Sequence, residues 1–295
     1  MDRRTFLGKM TAAALVTRNF TWTALNQKDG HKIEKIGVQL YTVRREMKQD
    51  FEGTLAKVAA IGYHEVEFAG YFDHPPKDVR AALGRHGLAA PSAHADYQSL
   101  GEKWPKVLEA ASVIGHKYIV NPWIDDDVRK QSDGWKRAAE AFNRAGEASQ
   151  KAGIQFAYHN YHFEFVPVDG KLPYDFLLAE CDSNLVKMEM DLCWITVGGQ
   201  DPLTYFARYP GRFPMVHVKD LKKIPQRTAS DKGAIPFDRI VPDMTDIGNG
   251  VIDWQRIFAQ SGKAGIKHYF VEHDEPKSAF DSIERSYDYL QRLRF

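Results

Sequence analysis

The chain has 295 residues, of which 43% are hydrophobic, and its 40 basic and 39 acidic residues leave a formal net charge of +1. This composition is ordinary for a globular protein and supplies enough apolar residues for a sizeable core. The balanced charge argues against a nucleic-acid partner, which would require a basic surface. The two cysteines, Cys181 and Cys193, are too few for a disulfide framework, and we expect both to be buried free thiols.

The first residues predict a targeting segment that lies outside the fold. The pair Arg3-Arg4 precedes Phe6-Leu7 and a short apolar run over 10–16, a pattern typical of a twin-arginine export signal. The alternative is a basic tail on a cytoplasmic protein, because Arg18 interrupts the apolar run and no A-x-A cleavage motif follows. We therefore expect a leader over 1–31, a periplasmic or otherwise exported protein, and no stable insertion into a membrane.

From residue 32 onward, short β-like runs alternate with helical patterns. The predicted strands cover 36–42, 64–68, 88–94, 118–121, 154–159, 186–191, 214–218 and 267–272. The predicted helices cover 54–61, 76–86, 104–114, 135–152, 174–180, 202–208, 254–260 and 278–293. Glycines at 62, 115 and 265 each end a helix shortly before a strand, and this repetition indicates one repeated βα unit.

Eight such units predict a single-domain α/β fold over 32–295, the (β/α)₈ TIM barrel. A doubly wound sheet is the alternative, but the chain has neither GxGxxG nor GxxxxGK[ST] as a phosphate-binding turn. The long segment 222–247 follows the seventh strand, on the face where barrel active sites form. We expect this insertion to cover the substrate.

Four consecutive strands end on side chains that can bind a metal, namely His159, Asp191, His217 and Glu272. The C-terminal ends of barrel strands meet at one rim, so we expect these four side chains to lie close together. Each of them alone could be an ordinary hydrogen-bonded rim residue, but their recurrence on adjacent strands favours a metal site. Mixed nitrogen and oxygen donors suit Mn²⁺, Zn²⁺, Co²⁺ or Fe²⁺, and we predict one divalent metal ion.

The same region resembles a known family, the xylose-isomerase-like sugar isomerase and epimerase barrels. The resemblance covers the chain from Ile36 onward and rests on segments that include 65–68 (EVEF), 159–165 (HNYHFEF), 190–194 (MDLCW), 217–220 (HVKD) and 248–254 (GNGVIDW). It implies Glu, Asp, His and Glu as metal ligands on strands five to eight. Asp191, His217 and Glu272 match the last three, whereas His159 stands at the glutamate position, so either His159 or Glu164 is the fourth ligand.

The resemblance implies an enzyme that removes a proton next to a carbonyl group through a metal-stabilised enediolate. We expect a metal-dependent isomerase or epimerase of a small-molecule sugar. The HNxxFEF pattern is similar to an exported branch linked to 3-keto sugars. The alternative is therefore a lyase or hydratase acting on 3-keto-glycosides or their glycals, which a single carboxylate base would favour. A related endonuclease and a non-catalytic sugar-binding protein are weaker alternatives, and a homo-oligomer is compatible with the sequence.

Within this site, Glu272 is the candidate base and Lys219 the candidate donor to the oxyanion, unless Lys219 is a surface residue paired with Asp220. His94 and Glu67 are further acid/base candidates at the ends of strands three and two. The candidate substrate-binding residues are Trp194 and Trp123, as platforms for a sugar ring, and Glu164 and Asn160.

Overall fold

Eight parallel strands close into a barrel in the computed structural model, which describes residues 30–228, 231 and 233–295. Each barrel strand pairs with its neighbour in chain order, and β1 closes the ring by pairing with β10. The barrel strands are β1 (Ile36–Gln39), β2 (Glu65–Phe68), β3 (Ala89–His94), β4 (Tyr118–Asn121), β5 (Gln155–His159), β6 (Val186–Asp191), β7 (Met215–Val218) and β10 (His268–Val271). The single-domain (β/α)₈ prediction is confirmed.

Helices follow the strands and cover the outside of the barrel. They are α1 (Arg44–Gln49), α2 (Phe51–Ile61), α3 (Pro76–His86), α4 (Trp104–Ile114), α5 (Asp126–Arg129), α6 (Gly134–Lys151), α7 (Pro173–Glu180), α8 (Leu192–Val197), α9 (Pro202–Arg208), α10 (Trp254–Phe258), α11 (Ser261–Ala264) and α12 (Ala279–Arg292). Short 3₁₀ turns occur at Tyr97–Ser99, Phe163–Phe165, Phe237–Arg239 and Val241–Asp243. No described helix combines the length and apolar character needed to cross a membrane.

The predicted elements differ from the structure mainly at the first strand and at four short helices. The strand predicted over 36–42 ends at Gln39, because the backbone turns there and the N–H of Thr42 donates to the carbonyl of Gln39. Helices α1, α5, α8 and α11 lie outside the predicted helical ranges. Helix α8 begins directly after β6 because the Asp191 carboxylate caps it, accepting the N–H groups of Cys193 and Trp194. The three repeated glycines all end their helices in the left-handed conformation, as predicted.

The barrel interior is layered from bottom to top. An apolar layer of Val120, Ala157, Met215 and Phe270 fills its middle. Side chains alternate along each strand, so the interior positions above this layer fall on every second residue. In β6 and β7 these positions are occupied by Glu189, Asp191 and His217, all fully buried. The sequence therefore places a polar layer above the apolar one, at the C-terminal rim.

The insertion 222–247 is tied to the rim by a short antiparallel ribbon, β8 (Asp220–Leu221) with β9 (Met244–Thr245). Asp220 holds the segment 248–254, which follows the insertion, in place. Its carboxylate accepts the N–H groups of Gly248, Gly250 and Ile252 and the indole N–H of Trp254. A side chain at Gly250 would collide with Asp220, since a Cβ there would lie 2.0 Å from its Oδ1. In the folded chain this contact joins the segments HVKD and GNGVIDW.

Candidate metal centre and substrate cavity

The four predicted ligands converge at the rim. His159, Asp191, His217 and Glu272 each present one donor atom, and these atoms all lie within 4.8 Å of one another. His159 Nε2 is 3.4 Å from Asp191 Oδ2, and His217 Nδ1 is 2.7 Å from Glu272 Oε2. All four side chains are buried. The convergence predicted from the strand ends is present in the structure.

These residues fit a divalent cation because their donor atoms converge in a buried position and make no regular hydrogen bonds, although Lys219 forms ion pairs with two of the carboxylates. Both ring nitrogens of His159, Asp191 Oδ2, His217 Nδ1 and Glu272 Oε2 are buried and make no hydrogen bond of normal geometry with any described residue. Asp191 uses its other oxygen to cap α8, which leaves Oδ2 free to face the cluster. Burial lowers the pKa of His159 to about 4, so its imidazole is neutral at pH 7, as a metal ligand must be.

Lys219 lies behind the ligands and neutralises their charge. It is buried, with Nζ 2.8 Å from Glu272 Oε2, 2.9 Å from Asp274 Oδ1 and 3.2 Å from Asp191 Oδ2. Burial opposes ionisation of Glu272, but Lys219 and His217 outweigh it and hold the pKa of that carboxyl low. The alternative of a surface lysine paired with Asp220 is wrong. Lys219 is not one of the described residues that line the cavity. Its side chain would have to move for the predicted contact with an oxyanion of the substrate to form.

A second polar cluster lies beside the first and shares His217. Its members, Glu67, His94, Glu189 and His217, also bring their donor atoms within 4.8 Å of one another. The Glu67 carboxylate is 2.6 Å from His217 Nε2 and accepts hydrogen bonds from Gln39 and Ser92. The predicted acid/base candidate Glu67 is fully buried and does not line the cavity, so in this structure it contacts the candidate ligand His217 instead of the cavity.

Glu189 was missed by the sequence analysis. It lies two residues before Asp191 on the same strand, and this spacing was the signal that could have identified it. Burial and the neighbouring Glu67 raise its pKa to about 7. Glu189 Oε2 lies 3.1 Å from His94 Nε2. Burial lowers the pKa of His94, but Glu67 and Glu189 outweigh it and raise that pKa to about 9.

A cavity of about 980 Å³ opens above the centre. His94, His159 and Glu272 reach its surface, and so does the predicted platform Trp123. Asp274 also lines it and was missed, although it follows Glu272 at the same two-residue spacing. The insertion contributes Phe237 and Val241 to the wall, which agrees with its predicted covering position.

Three of the predicted substrate-binding residues do not reach the cavity, because their side chains are fully buried. They are Trp194, Glu164 and Asn160. Trp194 is packed under the insertion, between the rings of His162, Tyr161 and Phe237. Glu164 accepts hydrogen bonds from the Tyr158 hydroxyl and the Tyr161 N–H, and it lies outside both clusters. Asn160 accepts the Asp191 N–H at 3.1 Å and thereby positions that backbone. In this structure all three support the rim from behind.

Comparison with known proteins agrees with this geometry. A sequence model described as "Xylose isomerase-like TIM barrel" matches residues 55–293. The inosose dehydratase of Lacticaseibacillus casei is 24% identical over 251 residues, which is 78% of this chain and 83% of that protein. A crystal structure of a sugar phosphate isomerase/epimerase from Parabacteroides distasonis is 27% identical, with a TM-score of 0.71 over 87% of this chain and 93% of that one.

The fold is shared further with the IOLI protein, whose crystal structure contains a bound zinc atom. That structure is 15% identical, with a TM-score of 0.65 over 86% of this chain and 95% of that one. The family match extends over most of the barrel, from α2 to the end of α12. The chain belongs to the xylose isomerase-like TIM barrel family.

Proposed function

We propose that this protein is a metal-dependent carbon–oxygen lyase that acts on a ketone-bearing sugar, with 3-keto-glycosides or their glycals as the substrate class. One observation carries the proposal. The acid/base groups that reach the cavity floor are unlike one another: the carboxylates Glu272 and Asp274 follow β10, and the imidazole of His94 ends β3, three strands away around the barrel.

Elimination needs a base at the carbon next to the ketone and an acid at the oxygen that leaves the following carbon. A carboxylate and an imidazole at separate points of the floor suit these two tasks better than the exchange of one proton between matched groups. Glu272 belongs to the candidate ligand cluster and Asp274 does not, so Asp274, whose Oδ1 pairs with Lys219, is the carboxylate that takes the proton. His94, which faces the same cavity, protonates the leaving oxygen.

His159, Asp191, His217 and Glu272 would hold the metal ion. A bound divalent cation would supply Lewis-acid stabilisation of the negative charge that develops on the carbonyl oxygen. Lys219 keeps the ligand carboxylates ionised, and Asn160 holds the backbone of Asp191 in place. The name of the L. casei relative supports the proposal, since a dehydratase removes water by the same kind of elimination.

A sugar isomerase or epimerase is the second candidate. It is favoured by the P. distasonis protein, which is the more similar of the two in sequence and carries that name. The two reactions share their first step, removal of a proton next to a carbonyl group. They differ in what leaves afterwards, so product analysis separates them.

The test is incubation of the metal-loaded protein with 4-nitrophenyl 3-keto-β-D-glucopyranoside in D₂O, followed by NMR. Release of 4-nitrophenol supports the lyase. Deuterium exchange without release contradicts it and supports the isomerase or epimerase, and no change in the substrate contradicts both. We expect Asp274→Asn to lower kcat by about 100-fold or more without loss of metal. The control is Glu275→Gln, because Glu275 also lines the cavity but is exposed and paired with Arg44 and Arg45.

We also propose that the protein is exported, on the strength of Arg3-Arg4 and the apolar run that follows. Cell fractionation of a strain that produces the full chain tests this, with Arg3→Lys/Arg4→Lys as the comparison. Recovery of the wild-type protein in the periplasm and of the variant in the cytoplasm would support the twin-arginine route. Recovery of the wild-type protein in the cytoplasm would contradict it. Residues 1–29 lie outside the described part of the chain.

A further inference from the structure

The substrate cavity has two chemically different parts. Its floor carries titratable side chains, those of His94, His159, Glu272 and Asp274. One wall instead consists mainly of aromatic and aliphatic groups. This wall is formed by Trp123, Tyr161 and Phe237, with Pro122 and Val241 beside them.

The three rings of the wall form one connected surface that begins next to the ligand cluster. Trp123 meets Tyr161 nearly edge-on, with ring centres 5.1 Å apart, and Phe237 lies 5.7 Å from Tyr161 and 6.2 Å from Trp123. Tyr161 also contacts the imidazole of His159 at 5.1 Å. A ligand bound at the floor would therefore meet this wall directly.

Trp123 is held in place by two neighbours that do not line the cavity. Phe163 packs edge-on against it at 5.1 Å, and the Arg129 guanidinium lies 4.8 Å from its ring centre. The indole nevertheless stays partly exposed and lines the cavity. A surface ordered before binding costs little entropy when a ligand docks on it.

Phe237 is fixed in the same way, although it belongs to the insertion. His162 and Trp194 pack edge-on against its ring at 4.9 and 5.3 Å. His162 Nε2 lies 2.7 Å from the carbonyl oxygen of Ile235, which ties this part of the insertion to the loop after β5. Buried Trp194 thus supports the wall without touching a ligand.

The cavity is also larger than one sugar ring needs. Its volume of about 980 Å³ lies at the upper end of the range of about 300–1,000 Å³ found for sites that enclose drug-sized ligands. The side chains of the three wall residues offer only an indole N–H and a phenol O–H as polar groups. Such a surface packs well on an apolar or aromatic ring and offers few hydrogen bonds to a second polyhydroxylated one, so we assign Trp123 to this second ring instead of the sugar ring that the sequence predicted for it.

We propose that Trp123, Tyr161 and Phe237 form a separate subsite that binds an aromatic or apolar second ring of the substrate. The substrate is then a glycoside whose polyhydroxylated ring occupies the floor and whose aglycone lies on the wall. The inference rests on the proposed function only in placing the sugar ring at the floor. It adds the chemical class of the other half of the substrate.

The test is isothermal titration of the metal-loaded protein with phenyl β-D-glucopyranoside, methyl β-D-glucopyranoside and cellobiose. None of these probes carries a ring ketone, so binding is measured without turnover. We expect the phenyl glucoside to bind about tenfold more tightly than the methyl glucoside. Trp123→Ala and Phe237→Ala should each bring this ratio close to one and change methyl glucoside affinity by less than about twofold.

The control is Phe280→Ala, which removes an aromatic ring of α12 that packs against Lys57 and does not line the cavity. It should keep the wild-type ratio, and circular dichroism should show all three variants folded. The subsite would be overturned if the protein bound the two glucosides with equal affinity or bound neither of them. It would also be overturned if the wall variants weakened the binding of both glucosides equally. Tighter binding of cellobiose than of the phenyl glucoside would overturn its aromatic character. A phenyl preference without any reaction in D₂O would leave the subsite standing and contradict only the proposed function.

Discussion

Glu67 supports the candidate metal ligand His217, and its own side chain does not line the cavity. Its carboxylate is fully buried and accepts hydrogen bonds from Gln39 and Ser92, and it lies 2.6 Å from His217 Nε2. A proton held on Nε2 leaves the lone pair of Nδ1 free to face the other ligands. We predict that Glu67→Gln weakens binding of the divalent metal.

The size of the effect follows from what the substitution keeps and removes. Glutamine retains the shape of the side chain and one acceptor oxygen, but it removes the negative charge that favours the Nε2 proton. Its amide group can also turn a donor towards His217 and favour the wrong tautomer. Loss of such an outer partner weakens metal affinity by about 10–100-fold, which corresponds to about 1.4–2.7 kcal/mol. Since the acceptor oxygen remains, we expect the lower end of this range.

The assay is titration of the metal-free protein with Zn²⁺ or Mn²⁺ in competition with a chromophoric chelator. The chain offers a matched control in Glu65, which lies two residues earlier in β2, is also buried, and is 2.7 Å from His268 Nδ1. Glu65→Gln should change stability without changing metal affinity. The prediction would be wrong if Glu67→Gln bound the metal with wild-type affinity. It would also be wrong if Glu65→Gln lost as much metal affinity as Glu67→Gln.

Three further predictions concern ligand identity, the insertion and pH. His159→Ala should abolish stoichiometric metal while Glu164→Ala retains it, as measured by metal analysis after dialysis; the reverse result would move the fourth ligand to Glu164. Asp220→Ala should destabilise the protein by about 3 kcal/mol, because it leaves the buried indole N–H of Trp254 and several backbone N–H groups unpaired. An unchanged Tm would show that these hydrogen bonds to Asp220 are not needed for stability. Burial lowers the pKa of His116 in the folded protein to about 4. As the pH falls below about 6.5, the His116 imidazole therefore binds a proton in the unfolded chain before it does so in the folded one. The free energy of unfolding should fall between about pH 6.5 and pH 4, by up to about 3 kcal/mol. Denaturant unfolding at pH 7 and 4.5 should show a smaller loss for His116→Gln than for wild type, and equal losses would exclude this histidine as the cause.

The order of strands and helices could be predicted from local patterns. Apolar runs of strand length, helical spacing between them and a glycine at three helix ends are all visible within a few residues. The convergence of four candidate ligands at one rim was predictable for the same reason. Once the strands are known, parallel closure brings their C-terminal ends to one rim, and His159, Asp191, His217 and Glu272 stand at those ends.

Local patterns were less informative about which side of the rim a residue would face. Trp194 and Trp123 are alike as candidates in the sequence, yet only Trp123 lines the cavity. Trp194 lies in the first turn of α8, and Phe237 of the insertion packs against it. Glu164 follows His159 closely in the chain, but a turn directs its carboxylate to Tyr158 and the Tyr161 N–H, away from the ligand cluster.

What the sequence by itself determined was the repeating unit, the alternation of side chains along each strand, and the set of residues at the strand ends. Only the tertiary structure decided which of these side chains meet. Glu67 and His217 are 150 residues apart in the chain and lie on strands that are not neighbours, yet their side-chain atoms are 2.6 Å apart. Alternation specifies the inward face of a strand, whereas contact across the barrel depends on closure, strand register and the volume of the apolar layer beneath.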